Sequence, residues 1–118
     1  MQTVVETPPF LADADGCGLP EKEREALVDY LSKYPDAGDL IQGTGGCRKL
    51  RFALRSRGKR GGIRVISYYW TANCPVFLLA VFAKGERSDL SQAERNSLMK
   101  LGKHLQESYS RKVVKLRK

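Results

Sequence analysis

From Val76 to Ala83 every residue is apolar, so the run has no polar side. Eight residues fall far short of a membrane span, which needs about 20. A strand with both parities apolar is a strand covered on both faces. A fold for this chain must therefore place other parts of the chain above and below that strand.

The preceding sequence supplies its partners. Leu50, Phe52 and Leu54 alternate with Lys49, Arg51 and Arg55, a period of two with one apolar and one basic face. Arg57–Gly62 reads as a turn. Ile63–Thr71, β-branched and aromatic, reads as a second strand. Ala72–Pro75 is another turn before the apolar run. Three consecutive strands with short connections predict an antiparallel meander. Upstream, Thr3–Glu6 predicts a short strand, and Pro8 and Pro9 break it before a brief helical piece at Phe10–Ala14. Gly16 and Gly18 end that piece. Pro20 suits a first helical position with Glu21 and Glu23 behind it. Leu27, Tyr30, Leu31 and Tyr34 then mark one helix face, which Pro35 stops. Ser91 and Glu94 have capping-box spacing, and Leu98, Leu101 and Leu105 continue a helical stripe toward Tyr109. The order β-α-α-β-β-β-α predicts an α+β fold, with N-terminal helices on one face of an antiparallel sheet and a C-terminal helix. The 118 residues suit one domain ending in a basic tail at 111–118.

Charge is distributed unevenly along this frame. Residues 1–39 hold three bases against nine acids, a net −6. No Asp or Glu then occurs until Glu86, and the 40–85 stretch carries +9; residues 86–118 add +5, for a total of +8. The cations of the gap fall in strand-forming sequence, so they decorate a sheet. That pattern suits a polyanion and is unneeded for a small neutral metabolite.

Other chemistries find little support. Three cysteines, an odd number without CxxC spacing, and the single His104 predict no metal site and no cofactor. They read as reduced thiols of a cytoplasmic protein. His104 lies beside the helical stripe as a surface or packing residue. No signal peptide or membrane segment is visible. Gly43–Gly46 lacks a following Gly-Lys-Ser/Thr and leads into a strand, so it predicts a tight turn admitting Cys47 to the sheet rather than a phosphate loop.

Lys49 and Arg51 share one strand face, roughly 7 Å apart by strand rise. Arg64 opens the next strand and Lys84 closes the third, so a register that aligns them would gather four cations. Such a cluster can bind RNA, and it can also cut it. A lysine crowded by cations gives up its proton more readily, and arginine supplies fixed charge to a pentavalent phosphate. A catalytic centre and a non-catalytic RNA-binding or ribosome-binding module both fit; a DNA-binding regulator fits less well, because no helix ahead of the tail is strongly basic.

Three linked motifs add a resemblance. Gly43–Arg51, Gly58–Ile66 with Tyr68-Tyr69, and Phe77–Lys84 with Ser88–Leu90 resemble HigB toxins of the RelE superfamily over roughly residues 20–106. The resemblance implies a bacterial type II toxin that enters the ribosomal A site and cuts messenger RNA without a metal. The products would be a 2′,3′-cyclic phosphate and a 5′-hydroxyl. It implies contact with rRNA and neutralisation by a HigA-like helix-turn-helix antitoxin. Lys49 corresponds to the general base, Arg51 to a phosphate-charge stabiliser, Arg64 to the holder of the scissile phosphate, and Lys84, with Arg87 nearby, to the leaving-group position. Arg48, Arg55, Arg57, Lys59, Arg60, Arg87 and Tyr68 would contribute RNA contacts. The chain departs from the RelE pattern at Gly85, where an arginine is frequent, and at Ser91, near a base-stacking tyrosine.

Overall fold

The computed structural model describes residues 2–53, 62–83 and 90–117, with side chains of the last helix described as far as Tyr109. The elements are β1 (Val4–Glu6), α1 (Pro8–Gly16), α2 (Glu21–Lys33), β2 (Asp39–Leu40), β3 (Cys47–Phe52), β4 (Ile63–Tyr68), β5 (Val76–Ala83) and α3 (Gln92–Arg117). The sheet runs β1-β5-β4-β3-β2. The β3–β4–β5 meander is antiparallel, as its short connections require, while β1 joins β5 in parallel and makes the sheet mixed. The two-residue β2 was hidden in the glycine-rich loop and pairs antiparallel with β3.

Both faces of the sheet are covered, as the apolar run demanded. Phe10, Ala14, Leu27 and Leu31 from α1 and α2 pack on Leu50, Ile63, Val65, Leu78 and Val81. Leu98, Leu101 and Leu105 of α3 pack on the other face against Cys47, Ile66, Tyr68, Phe77, Leu79 and Phe82. The helices thus divide between the two faces: the N-terminal pair takes one and α3 the other. The register shifts between Ile66 and Ser67, so Ala80 sits opposite Ile66 while Leu78 sits opposite Ser67. This bulge puts the adjacent Leu79 and Ala80 both on the α3 side.

Local chemistry sets the helix ends. Thr7, rather than a residue past the prolines, caps α1: its Oγ accepts from the Phe10 N–H and donates to the Leu78 carbonyl at 2.7 Å. Pro8 and Pro9 then occupy first-turn positions, where their missing N–H groups cost nothing. The capping box forms as spaced: the Glu94 N–H donates to Ser91 Oγ at 3.1 Å and the Ser91 N–H donates to Glu94 Oε1 at 3.0 Å. Along the outer edge of β5, where β1 no longer reaches, Asp13 of α1 accepts the Val81 N–H at 3.3 Å.

Tyr68 locks α3 to the sheet. Its ring lies between Gly46 and Gly102, and its hydroxyl accepts from Gln106 Nε2. A Cβ on Gly102 would stand 2.8 Å from the ring. Trp70 stacks on Phe77 at 5.8 Å, and Tyr109 meets Trp70 edge-on at 6.3 Å. Gly102→Val is expected to lower the urea midpoint, a loss of about 1–3 kcal/mol from overpacking. Gly16→Ala, with nothing within 4 Å of the added methyl, should leave stability unchanged or slightly raised.

Candidate nucleic-acid interface

Strand parity sorts the cations of β3. Lys49 and Arg51 project to the α3 side with Cys47, while Arg48 projects to the α1/α2 side with Leu50 and Phe52. Across the ladder Arg51 faces Arg64 directly, and Lys49 faces Ile66. Lys49, Arg51 and Arg64 therefore stand on one face; Lys84, the fourth cation expected there, lies outside the described residues. Arg51 is exposed; Lys49 and Arg64 are half-buried.

No carboxylate among the described residues pairs with any of the three. Like charges directly opposite on antiparallel strands destabilise the sheet. The acidic N-terminal region does not relieve this. Helices α1 and α2, which carry Asp13, Asp15, Glu21, Glu23, Glu25 and Asp29, cover the opposite face. The acid nearest in register is Asp39 on β2, opposite Lys49. In the sequence Asp39 only bounds the acid-free stretch. Its place beside Lys49 depends on a two-residue strand that no hydrophobic period announces.

The other expected contacts separate. Arg48 reaches back to donate from Nη1 to the Gly38 carbonyl at 3.3 Å, bracing the turn before β2. Tyr68, 2 % exposed, is packing beneath α3, and burial raises its phenol above the ordinary range against the lowering pull of Gln106. Ser91 is occupied as the cap of α3. Lys84, Gly85, Arg87, Arg55, Arg57, Lys59 and Arg60 lie outside the described residues, as do the side chains of the 111–118 tail. His104 is exposed on α3.

The glycine loop positions the strand that carries the cluster. Gly43, Gly45 and Gly46 take φ of 80°, 76° and 132°, open to glycine at little cost. Thr44, fully buried, donates to the Ile41 carbonyl at 2.6 Å and accepts the Cys47 N–H at 3.1 Å. The chain thus turns on itself to deliver Cys47, and two residues later Lys49. Cys47 is enclosed; burial pushes its thiol up to about 11, with a smaller opposing effect from Thr44. Among the described residues no group of three His, Cys, Asp or Glu could hold a metal ion. No described helix is long and apolar enough to cross a membrane.

The fold is a mixed α+β sheet with an acidic helical layer on one face and, on the other, a cationic cluster that no carboxylate among the described residues pairs with. The family model for the RelE toxin of the RelE/RelB toxin–antitoxin system matches residues 36–118, and the chain belongs to this family. It is the toxin member of a toxin–antitoxin pair. The matched span runs from the end of α2 through α3 and takes in the cationic cluster and the basic tail.

Two measurements check the electrostatics of this face. Arg64→Thr removes the repulsion with Arg51 and should raise stability by a few tenths of a kcal/mol in low salt. The gain should shrink as salt is added. The unfolded Cys47 thiol ionises near 9.0 and the folded one near about 11, so the folded state holds the extra proton between those values. Stability should therefore fall as pH rises through 9 to 11, the loss from this group approaching about 2.7 kcal/mol only above both values, at 1.36 kcal/mol per unit. In urea titrations across that range, Cys47→Ala should give a shallower slope.

Proposed function

We propose that the chain is a HigB-type toxin that cuts messenger RNA in the ribosomal A site. The observation that carries this reading is the juxtaposition of Arg51 and Arg64 across β3 and β4, with Lys49 on the same face and no acid among the described residues pairing with them. A sheet that tolerates this repulsion gains from it only when a polyanion arrives. Arg51 and Arg64 lie close enough to engage one phosphodiester from two sides.

In the proposed reaction the 2′-oxygen attacks the adjacent phosphorus while Lys49, as the neutral amine, takes the 2′ proton. The bond from phosphorus to the 5′-oxygen breaks. Arg51 and Arg64 bear the charge that accumulates on the non-bridging oxygens, a role suited to fixed, planar guanidinium groups. The leaving oxygen takes a proton, assigned to Lys84 with Arg87 beside it. The products are a 2′,3′-cyclic phosphate and a 5′-hydroxyl. Every step is an acid–base or charge-stabilising one, which these side chains can supply without a metal. The ribosome and rRNA would present the message, and a HigA-like antitoxin would withhold the toxin from it in the cytoplasm.

The burial of Tyr68 under α3 and the use of Ser91 as a cap favour a second reading: a non-catalytic module that occupies the ribosome without cutting. In a translating extract, 5′-end mapping should reveal codon-spaced cuts with 5′-hydroxyl termini. Arg51→Ala and Arg64→Ala should each slow cutting by about 100- to 1,000-fold, and Lys49→Ala by about 100- to 10,000-fold, with circular dichroism unchanged. Intact messages on stalled ribosomes would select the second reading instead.

A further inference from the structure

Asp39 brings a carboxylate to the face that carries Lys49, Arg51 and Arg64. It is the register partner of Lys49 across β2 and β3, and directly opposed residues of an antiparallel pair project to the same side. Asp39 is exposed, and its side chain takes no hydrogen bond or ion pair among the described residues. The backbone around it is fixed. Gly38 lies so close to β3 that a Cβ would stand 2.7 Å from the Lys49 carbonyl oxygen. The Gly38 carbonyl accepts from Arg48 Nη1 at 3.3 Å, and the Ile41 N–H donates to the Cys47 carbonyl at 2.9 Å. The chain on both sides of Asp39 is thus tied to β3, while its carboxylate is left uncommitted. A carboxylate beside a phosphate site weakens RNA binding unless it meets a donor.

We infer that Asp39 reads the base of the nucleotide 5′ to the cut and selects guanine. The inference rests on the messenger-RNA-cutting reading of the chain. With the scissile phosphate between Arg51 and Arg64 and the 2′-hydroxyl at Lys49, the substrate runs outward across the sheet from β4 toward β2. Asp39 stands one strand spacing, about 5 Å, beyond β3 and two residues, about 7 Å, back from Arg51. That offset clears the phosphate. It lies on the far side of Lys49, where the nucleoside that supplies the 2′-oxygen continues into its base. An ionised carboxylate only accepts hydrogen bonds, and so do phosphate and ribose ring oxygens. With the 2′-hydroxyl taken by Lys49, the donors left are the N–H groups on the base edges, which unpaired RNA exposes. Guanine sets its N1–H and its N2 amine side by side, matching the two oxygens of a carboxylate. Adenine and cytosine put a ring-nitrogen acceptor beside their amine, and uracil flanks its N3–H with carbonyls; each turns an acceptor toward Asp39. A counter-ion role is the alternative, yet the register that would allow an ion pair between Asp39 and Lys49 produces none.

The test uses the full-length chain in a translating extract, on messages whose codons differ only in the nucleotide 5′ to the cut. Cuts after guanosine should exceed those after each other nucleotide by about 5- to 150-fold, the discrimination of one bidentate base contact. Asp39→Ala should abolish this ratio. Asp39→Asn, with an acceptor and a donor side by side, should move the preference to adenosine. Inosine in place of guanosine, which lacks only the N2 amine, should slow cutting by the wild-type chain and not by Asp39→Ala. Circular dichroism and urea unfolding verify the fold of both variants. A guanosine ratio that is absent in the wild-type chain, or that survives in both variants, overturns the proposal. Slowing by one common factor after every nucleotide in both variants overturns it in favour of a counter-ion to Lys49. If the wild-type chain leaves messages intact, the nuclease reading falls and binding decides the site separately. Fluorescence anisotropy with short single-stranded RNAs should then show guanosine preferred over inosine by the wild-type chain and not by Asp39→Ala. Equal affinities in that assay overturn the base contact as well.

Discussion

Burial of β5 on both faces is the constraint on which the rest of this structure depends. A strand apolar at every position cannot lie on the surface, and one layer of helices would leave half of it in water. Helices α1 and α2 cover one side, with Leu27 and Leu31 fully buried, and α3 covers the other through Leu98, Leu101 and Leu105. The bulge at Leu79 adjusts the pleat so that α3 gains two successive apolar contacts. Once these layers are set, β3 is carried to the far side of β4. There α3 covers Cys47 at its start and leaves Arg51 exposed toward its end.

That graded cover separates stability from function along a single strand. At Cys47 and Tyr68 the packing is tight enough that only glycines fit beside the ring. A few residues further on, Arg51 and Arg64 oppose each other with no ion pair to a carboxylate among the described residues, a cost the core must offset. The acidic helices do not neutralise them, because their apolar stripes bind them to the other face. Among the described residues, the acids of α2 thus lie across the sheet from Lys49, Arg51 and Arg64. Such a distribution orients the chain as it approaches a polyanion.

Much of the frame was legible in the sequence because its signals are local. The apolar run, the capping box and the leucine stripe each depend on near neighbours and appear where their spacing puts them, as does the period-two strand as far as Phe52, with Leu54 and Arg55 outside the described residues. Proline chemistry was legible as punctuation but not in detail: Pro8 and Pro9 start α1 instead of merely preceding it, since Thr7 finds the Leu78 carbonyl across the sheet. The strand β2 was not legible, because two residues cannot display a period.

For the cationic site the division is similar. Sequence by itself determined that Lys49 and Arg51 share a strand face and that no acid lies between Asp39 and Glu86, because alternation and composition are properties of the chain. Only the tertiary structure decided that Arg64 stands opposite Arg51, that Asp39 returns beside Lys49, that Arg48 turns away to brace Gly38, and that Tyr68 is buried. Each of these depends on register between strands or on which face a distant helix covers. Both are set by long-range packing, in which a shift of one residue exchanges one face of the sheet for the other.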